Sequence, residues 1–399
     1  AVKWETTPQT GSFQAAAGRG YFMNTTSGAL TLTLPSGSAG AIVAVSDYAR
    51  TFQTNNLTIS PQSGEKIGGV AEDLTLNVNG QALTLVYVDS TKGWINVQNA
   101  EDTVTASNFI DATGGTITSC GNDKIHTFTG PGTFAVTRVH PCAANNQVSY
   151  MVVGGGGGSG SANGGYGTGG GGAGGFREDK SPVTPYTASP LEGAGPITVT
   201  ATSYPITIGA GGAAGTEPTP NLGSAGGTST FSTITSAGGG QTQGNGGSGG
   251  GGGPGHSTGV GSGGTGNTPP VTPSQGSNGG PGGHTAGGVG AGGGGGATAV
   301  GGTATTGPSA VAGPGGAGAT TEINGSSTAF AGGGGGATNK GAPAIGPGGA
   351  GGGGTGSNPT CDGSNGTANT GGGAGGANGN PVPGKTGGSG IVIIRYKAQ

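Results

Sequence analysis

Two short motifs in the chain match patterns that carry chemistry in other proteins. GNPVPGKT (379–386) matches the GxxxxGK[ST] pattern of phosphate-binding loops, which needs free backbone N–H groups between a strand and a helix. Pro381 and Pro383 remove two of those donors, and the strand-like sequence GIVIIRY (390–396) follows. GGSGG (246–250) satisfies GxSxG without the strand–turn–helix context of a nucleophile elbow. We interpret both matches as chance products of glycine-rich sequence.

The remaining ionisable residues do not combine into a catalytic group. His256 and His284 stand among glycines with no acid near them in the sequence, which favours solvated turns. Glu178 and Asp179 are adjacent, and we expect them in a loop with salt bridges to the basic residues on either side. These positions do not provide a catalytic set of a nucleophile, a base and a group that orients the base. The sequence predicts a protein that is not an enzyme and has no cofactor and no metal.

The cysteines allow one disulfide bond. Three of them, Cys120, Cys142 and Cys361, are too few for a disulfide framework, but Cys120 and Cys142 could join a small β unit. With His126 and His140, the same two cysteines could also be drawn as a zinc site, but their spacing fits none of the usual patterns. A disulfide or free thiols are therefore preferred to zinc.

Residues before 100 show the alternation of half-buried β-strands. GALTLTLP (28–35) alternates leucine with threonine. In DLTLNVNGQALTLVYVD (73–89), Asn79-Gly80 separates two alternating runs and predicts a hairpin, and KGWINV (92–97) predicts a closing strand. Because no helical period appears, we predict an all-β N-terminal fold with essentially no α-helix, and a small all-β module over residues 1–100.

Apolar strands flank the glycine-rich part of the chain. QVSYMVV (147–153) runs directly into it and GIVIIRY (390–396) ends it, so we predict that these two strands pair and clamp the insertion between them. KIHTFTGPGTFAV (124–136) predicts a further β segment with a Gly-Pro-Gly turn. The predicted domains after the first are a linker with a β segment (101–153), a glycine-rich bundle (154–390) and a closing strand (391–399).

Most of the 104 glycines of this 399-residue chain lie in the predicted bundle. AGGGGGAT occurs at 291–298 and again at 331–338, which indicates similar rods joined by variable turns. We predict a polyglycine II bundle, in which left-handed rods with three residues per turn bond to neighbours on every side because no side chain separates them. Interrupting Ala, Ser and Thr residues are expected on outer faces. The alternative is a disordered low-complexity spacer.

The charge distribution excludes some partners. The net charge is −3 and no basic run occurs, so nucleic acid is not expected as a ligand. Between Glu217 and Glu322 no charged residue occurs, which requires neutral recognition. No apolar run is long enough for membrane insertion, and we expect no signal peptide, because the N-terminus lacks a basic flank followed by an apolar stretch. Because the first residue is Ala1, we expect a fragment or a processed chain.

Several stretches resemble proteins of tailed bacteriophages. A β module of virion structural proteins from marine phages is similar to AVKWETTPQTGSF, GYFMNTTSGALTLTLPSGSAGAIVAVSDYARTF and LTLVYVDSTKGW. The glycine-rich terminal domain of their tail fibres resembles IHTFTGPGTF, YMVVGGGGG, GGAGGFREDKSPVTPYTASPL, YPITIGAGG and GGSGIVIIRY. Adhesins of some T-even-like phages carry polyglycine II sandwiches whose loops touch the host receptor. The resemblance implies an extracellular location on the phage tail, contacts with other virion proteins, and a homotrimer.

The resemblance places receptor recognition on turns at a tip of the bundle. The host receptor would be a surface glycan or an outer-membrane protein, although aromatic residues suited to sugars are missing between Phe231 and Phe330. Tyr166, Phe176 and Tyr186 are expected in the core. The main alternative is a purely structural virion component such as a head fibre or decoration protein. The receptor-contact candidates are Asn267, Thr268, Thr272, Gln275, Asn278, Thr303, Thr305, Thr306, Asn358, Asn365 and Thr367.

Overall fold

The computed structural model is built of β-strands and extended glycine segments. Its described residues contain no α-helix and a single 3-10 turn, Ala143–Asn146, so the all-β prediction is confirmed. None of these described residues forms a helix long and apolar enough to cross a membrane. The structure describes residues 2–98, 109–140, 142–162, 167–216, 221–253, 260–285, 288–339, 345–378 and 382–398.

The chain divides into two compact units. The first comprises Ala1–Phe109 with Val139–Pro141 and Gln399, and the second comprises Ile110–Arg138 with Cys142–Ala398. Strands between residues 110 and 138 therefore belong to the unit that holds the glycine segments. The domain boundaries predicted from the sequence stay a prediction.

The first unit consists of two sheets between which the chain alternates. One sheet has the strand order β1-β3-β5-β8-β9 and the other has the order β2-β4-β6-β7. Neighbours among the first three strands of each sheet run parallel, an arrangement that the local sequence patterns do not predict. The strands are β1 (Lys3–Gln9), β2 (Phe13–Gln14), β3 (Arg19–Met23), β4 (Leu30–Thr33), β5 (Ile42–Asp47), β6 (Leu57–Ser60), β7 (Leu74–Leu76), β8 (Ala82–Asp89) and β9 (Gly93–Asn96).

A side-chain core fills the space between these two sheets. Leu32, Leu34, Leu57 and Ile59 are fully buried in it, as the alternation in GALTLTLP predicts. Burying each such side chain stabilises the fold by about 1.5–3 kcal/mol. Trp94 on the closing strand β9 joins the same cluster, so the hydrophobic effect holds this unit together.

The predicted hairpin at Asn79-Gly80 is wrong, although the turn itself forms. The Gln81 N–H donates to the Val78 carbonyl, and Gly80 has a φ of 79°. However, β7 pairs with β6 and β8 pairs with β5, so the turn carries the chain from one sheet to the other. The Asp47 carboxylate accepts the Gly80 N–H at 2.9 Å and anchors the crossing.

The second unit begins with two facing sheets around an aromatic core. Their strand orders are β10-β13-β17-β18-β19 and β11-β12-β24-β14-β15. Phe134 and Phe231 of one sheet contact Tyr396 and Tyr150 of the other, with ring centroids 6.1 and 5.9 Å apart. The strands are β10 (Asp111–Thr113), β11 (Thr116–Cys120), β12 (Asp123–Phe128), β13 (Gly132–Arg138), β14 (Gln147–Val153), β15 (Phe176–Asp179), β16 (Ile197–Thr198), β17 (Ser203–Thr207), β18 (Ser229–Phe231), β19 (Ile234–Ser236), β20 (Gly283–Thr285), β21 (Gly288–Gly290), β22 (Ala319–Thr321), β23 (Thr328–Phe330) and β24 (Ile391–Lys397).

The strands that flank the glycine segments pair with each other. β14 and β24 are antiparallel, with Val153 opposite Ile391 and Ser149 opposite Arg395. The chain therefore enters and leaves the glycine-rich part at adjacent points, and the predicted pairing is confirmed.

Neighbouring glycine segments bond to each other at every third residue. In the two copies of AGGGGGAT, the N–H groups of Ala291, Gly294 and Ala297 donate to the carbonyls of residues 337, 334 and 331 at 2.8–2.9 Å. The two copies are thus antiparallel. Because only one residue in three faces this neighbour, the other two are directed to other segments.

Segment 167–175 has six such neighbours. Thr168 and Gly171 face one pair of segments, residues 170 and 173 face a second pair, and residues 172 and 175 face a third pair. Each set donates its N–H groups to one segment and offers its carbonyls to another. The acceptor segments are 371–377, 292–295 and 237–240, and the donor segments are 334–337, 248–251 and 154–157.

Close backbone packing explains why this segment needs glycine. A Cβ on Gly169, Gly171 or Gly174 would lie 2.0–2.1 Å from a carbonyl oxygen of a neighbouring segment. The expectation that interrupting residues lie on outer faces is wrong, because Ala173 and Ser248 are fully buried. The Ala173 methyl belongs to the apolar cluster where the segments meet the sheets.

Candidate functional site

The glycine segments together form a bundle with two ends. At the clamp end, Val153 pairs with Ile391, and the Gly154 N–H donates to the Gly175 carbonyl at 3.0 Å. At the opposite, distal end, Ala162 forms an isolated bridge with Val382. Turns lie at both ends, so the position of each turn decides what its side chains can reach.

The turn over residues 266–278 lies at the clamp end. The Phe176 N–H, at the start of β15, donates to the Gln275 carbonyl at 2.8 Å. Asn267 Oδ1 accepts the N–H groups of Val271 and Gln275, and the Gln275 side chain donates to the Pro269 carbonyl at 2.7 Å. Gln275 is itself buried. Asn267 and Gln275 thus brace the turn, while Thr268, Thr272 and Asn278 are exposed on it.

Other receptor-contact candidates lie at the distal end. The segment that begins at Ser277 runs away from the clamp end, and Ala304 bonds to its Pro281 carbonyl. The Thr305 N–H donates to the Val311 carbonyl, and Thr305 Oγ1 accepts the Val311 N–H at 2.9 Å. This closes a turn on which Thr305 is exposed, together with its neighbours Thr303 and Thr306.

The last three candidates have different settings. Asn358 is buried, and its Oδ1 accepts the Cys361 N–H at 2.8 Å, which closes a distal turn. Asn365 is exposed and accepts the Thr386 N–H at 3.0 Å. Thr367 is exposed near the clamp end. The structure therefore divides the predicted contact residues between two opposite ends, and their role in receptor contact stays a prediction.

Exposed aliphatic side chains at distal turns were missed by sequence reasoning. Leu222 is 46%, Val260 73% and Val311 47% exposed. Leu222 follows Asn221, whose carbonyl accepts the Ser161 N–H near the Ala162 bridge. Leu222 and Val260 are each flanked by Gly or Asn, and Val311 is flanked by two alanines. None of the three belongs to an alternating strand pattern, and this isolation is the signal that could have found them.

A buried carboxyl group lies at the clamp end. Glu178 on β15 is fully buried, so the expectation of a loop with salt bridges is wrong for this residue. Its Oε1 accepts the hydroxyls of Thr321 at 2.5 Å and Tyr186 at 3.3 Å, and its Oε2 accepts the Ser189 N–H at 2.9 Å. Burial raises the pKa of Glu178 above its ordinary value. Its protein donors replace water around the carboxyl group.

A buried ion pair joins the same region to the clamp strands. Arg395 Nε on β24 donates to Asp123 at 2.8 Å, and its guanidinium lies 5.2 Å from the centroid of the Tyr186 ring. Its Nη1 also donates to the Glu322 carbonyl at 3.2 Å. Tyr186 and Phe176 are buried, which confirms their core placement, whereas Tyr166 lies outside the described residues.

The histidine and cysteine candidates lie among structural contacts. His126 is buried between the Gly114 carbonyl at 2.7 Å and the Tyr396 hydroxyl at 3.0 Å, and burial lowers its pKa. Within the described ranges, no group of His, Cys, Asp and Glu could hold a metal ion. Cys120 is half-buried and Cys142 exposed, both as thiols, and the disulfide stays a prediction.

The phosphate-loop match has its backbone donors engaged. In its described part, the Gly384 N–H donates to the Gly215 carbonyl, and the Lys385 N–H donates to Ser159 Oγ. Strand β24 follows instead of a helix. Ser248 of the GxSxG match is fully buried, and His256 lies outside the described residues.

Comparisons with known proteins give two matches. The model of a family described as a glycine-rich domain matches residues 127–397. The chain is also 33% identical over 94 residues to the baseplate wedge protein gp10 of Enterobacteria phage T4. That alignment covers 23% of this chain and 15% of the phage protein.

Proposed function

The chain belongs to the glycine-rich domain family, and from this premise we propose that it is a virion structural protein of a tailed bacteriophage, more specifically a tail fibre that binds the host receptor. The similarity to a phage baseplate protein supports the virion location. The resemblance to marine phage tail fibres supports the finer assignment. The chain acts in this proposal by binding and not by catalysis.

The glycine bundle is proposed to be a polyglycine II lattice. Rods of this kind have three residues per turn and no internal hydrogen bonds. The bonds at residues 291, 294 and 297, three apart, and the six neighbours of segment 167–175 support this assignment. Such a lattice bonds each rod on all sides and would make the bundle a stiff stand for its turns.

Amide hydrogen exchange tests the lattice. Slow exchange across 167–175, with fast exchange over residues 306–309 of the distal turn, supports the bundle. Uniformly fast exchange over both segments would contradict it and leave a flexible spacer.

The receptor surface is proposed at the distal end. Thr303, Thr305 and Thr306 offer hydroxyls there, and the exposed Val260 and Val311 offer apolar contact. Turn 266–278 lies at the clamp end, so its side chains would not contact the same ligand. The observation that carries the proposal is the exposure of three aliphatic side chains, Leu222, Val260 and Val311, on distal turns.

A matched pair of valines tests this placement on virions. Val260 at the distal end and Val300 at the clamp end are 73% and 66% exposed, and Gly301, next to Val300, bonds to the Asn278 carbonyl. Val260→Asp should lower the adsorption rate to host cells about tenfold, whereas Val300→Asp should leave it unchanged. Equal adsorption by the two variants would refute the distal site.

The proposed assembly is a homotrimer in contact with other virion proteins. Three copies would present three distal ends and multiply weak contacts into avidity. Sedimentation of the purified chain measures this state directly, and a monomeric mass at micromolar concentration would contradict it.

A purely structural virion role is the second candidate. It is favoured by the similarity to a baseplate wedge protein. In that case every distal variant adsorbs normally, while particles lacking the protein fail to assemble.

A further inference from the structure

Arg177 at the clamp end is buried with few partners. Its residue is 7% exposed, and its guanidinium donates through Nη2 to the carbonyls of Ala194 at 3.4 Å and Thr272 at 3.5 Å. Its Nε has no hydrogen-bond partner. A guanidinium carries five N–H donors, and the one on Nε is buried here without an acceptor.

No carboxylate of the described residues forms an ion pair with Arg177. The pairs in these ranges join Arg19 to Glu5, Lys124 to Asp111 and Arg395 to Asp123. Asp179 lies two residues further on β15, but its carboxylate accepts the Gly195 N–H at 3.1 Å.

Asp179 is itself partly desolvated. Burial raises the pKa of its carboxyl group, a hydrogen bond from the Gly195 N–H lowers it, and the charge of Glu192 raises it. A buried cation without a counter-charge is costly, because the lost hydration is not replaced. An anion bound from solution would remove that cost.

Open space adjoins the guanidinium partners. A Cβ on Gly195 would meet no atom within 4 Å, and one on Gly193 would meet only Pro273, at 3.7 Å. Residues 193–195 and the exposed Thr272 therefore form a rim beside Arg177. On the other side, Asn267 braces the turn that carries Thr272, so the rim is held in place.

We propose that Arg177 binds the carboxylate of a small acidic sugar at this rim. Guanidinium and carboxylate form charge-assisted, bidentate hydrogen bonds. The carbonyls of Ala194 and Thr272 can accept sugar hydroxyls. This site is separate from the distal surface and does not depend on receptor binding there.

Titration calorimetry of the full chain with sodium glucuronate at constant ionic strength tests the site. Arg177→Gln should weaken binding at least about tenfold, whereas Arg50→Gln, at an exposed arginine of the first unit, should change it less than twofold. Absence of saturable glucuronate binding to the unaltered chain would overturn the proposal. Tighter binding of inorganic phosphate than of glucuronate would overturn the acidic-sugar assignment.

A second variant keeps the test decisive if Arg177→Gln does not fold. Thr272→Glu adds a negative charge to an exposed rim position and should weaken glucuronate binding about tenfold. Thr54→Glu, at an exposed threonine of the first unit, is the matched control and should bind as the unaltered chain does. Equal affinities for these two variants would place the carboxylate elsewhere and refute the site.

Discussion

The two units of this chain reach cohesion by opposite means. In the first unit, buried side chains such as Leu32 and Trp94 fill the space between two sheets. In the glycine bundle, backbones approach so closely that a Cβ on most central glycines would overlap a carbonyl, and hydrogen bonds take the place of a side-chain core. The comparison teaches that a fold tolerates only the changes that preserve its own source of cohesion. Larger side chains should harm the bundle, and smaller ones should harm the first unit.

The largest effect is expected from adding a methyl group to the bundle. The Cβ of Gly171→Ala would lie 2.1 Å from the Gly157 carbonyl oxygen, so neighbouring segments must separate. We expect a loss of more than about 4 kcal/mol in the free energy of unfolding of the second unit, measured by denaturant titration. Gly130→Ala is the control, because its Cβ meets no atom within 4 Å, and it should change stability by less than about 0.5 kcal/mol. Similar stabilities of the two variants would break the comparison.

Removing a side chain from the first unit should have the next largest effect. Leu32 is fully buried, and Leu32→Ala should destabilise this unit by about 3 kcal/mol through lost burial and a cavity. Thermal unfolding followed by tryptophan fluorescence measures the change, since Trp94 lies in the same cluster. Thr31→Ala on the same strand, a half-buried position, should cost less than half as much. A cost at Leu32 below that at Thr31 would contradict a side-chain core.

The buried Glu178 predicts a smaller, pH-dependent effect. Because its pKa is raised in the fold, the folded chain binds more protons than the unfolded chain between the ordinary pKa, near 4.5, and the raised one. The free energy of unfolding should therefore fall as pH rises through that interval. Denaturant titrations at several pH values should show a shallower fall for Glu178→Gln, which does not titrate. An unchanged slope would show that another group is responsible.

The smallest effect is expected at an exposed ion pair. Lys124 and Asp111 lie 3.0 Å apart with side chains 37% and 42% exposed. Lys124→Gln should lower stability by about 0.5 kcal/mol or less, and added salt should reduce the difference. A loss of stability as large as that of Leu32→Ala would show that this exposed ion pair contributes as much to stability as a buried side chain does.

Local sequence patterns predicted individual strands and turns better than they predicted which strands pair. The alternation in GALTLTLP predicted a half-buried strand, and the turn at Asn79-Gly80 forms. The pairing of β7 with β8 was wrong, because a turn between alternating runs does not tell whether the chain stays in one sheet. Acidic sequence suggested a loop for Glu178, yet its donors, Thr321 and Ser189, come from segments that only folding brings near.

The predicted contact residues show the same limit. The composition of turns such as 266–278 was read correctly as turn-forming, but the end of the bundle at which each turn lies was not predicted. The end of the bundle at which a turn lies depends on how many times the chain has reversed direction before that turn. The sequence of a glycine segment does not show in which direction the segment runs. The turns that contain Gln275 and Thr305 therefore have similar compositions, although they lie at opposite ends of the bundle.

The all-β class, the glycine-rich segment and the pairing of its flanking strands follow from the amino-acid sequence, because period-two alternation, glycine content and apolar runs are local properties. Tertiary structure alone decided the parallel order of the first unit, the end at which each turn lies, and the burial of Arg177 and Glu178. These depend on contacts between residues far apart in the chain. Their energies arise only when distant backbones and side chains exclude water together.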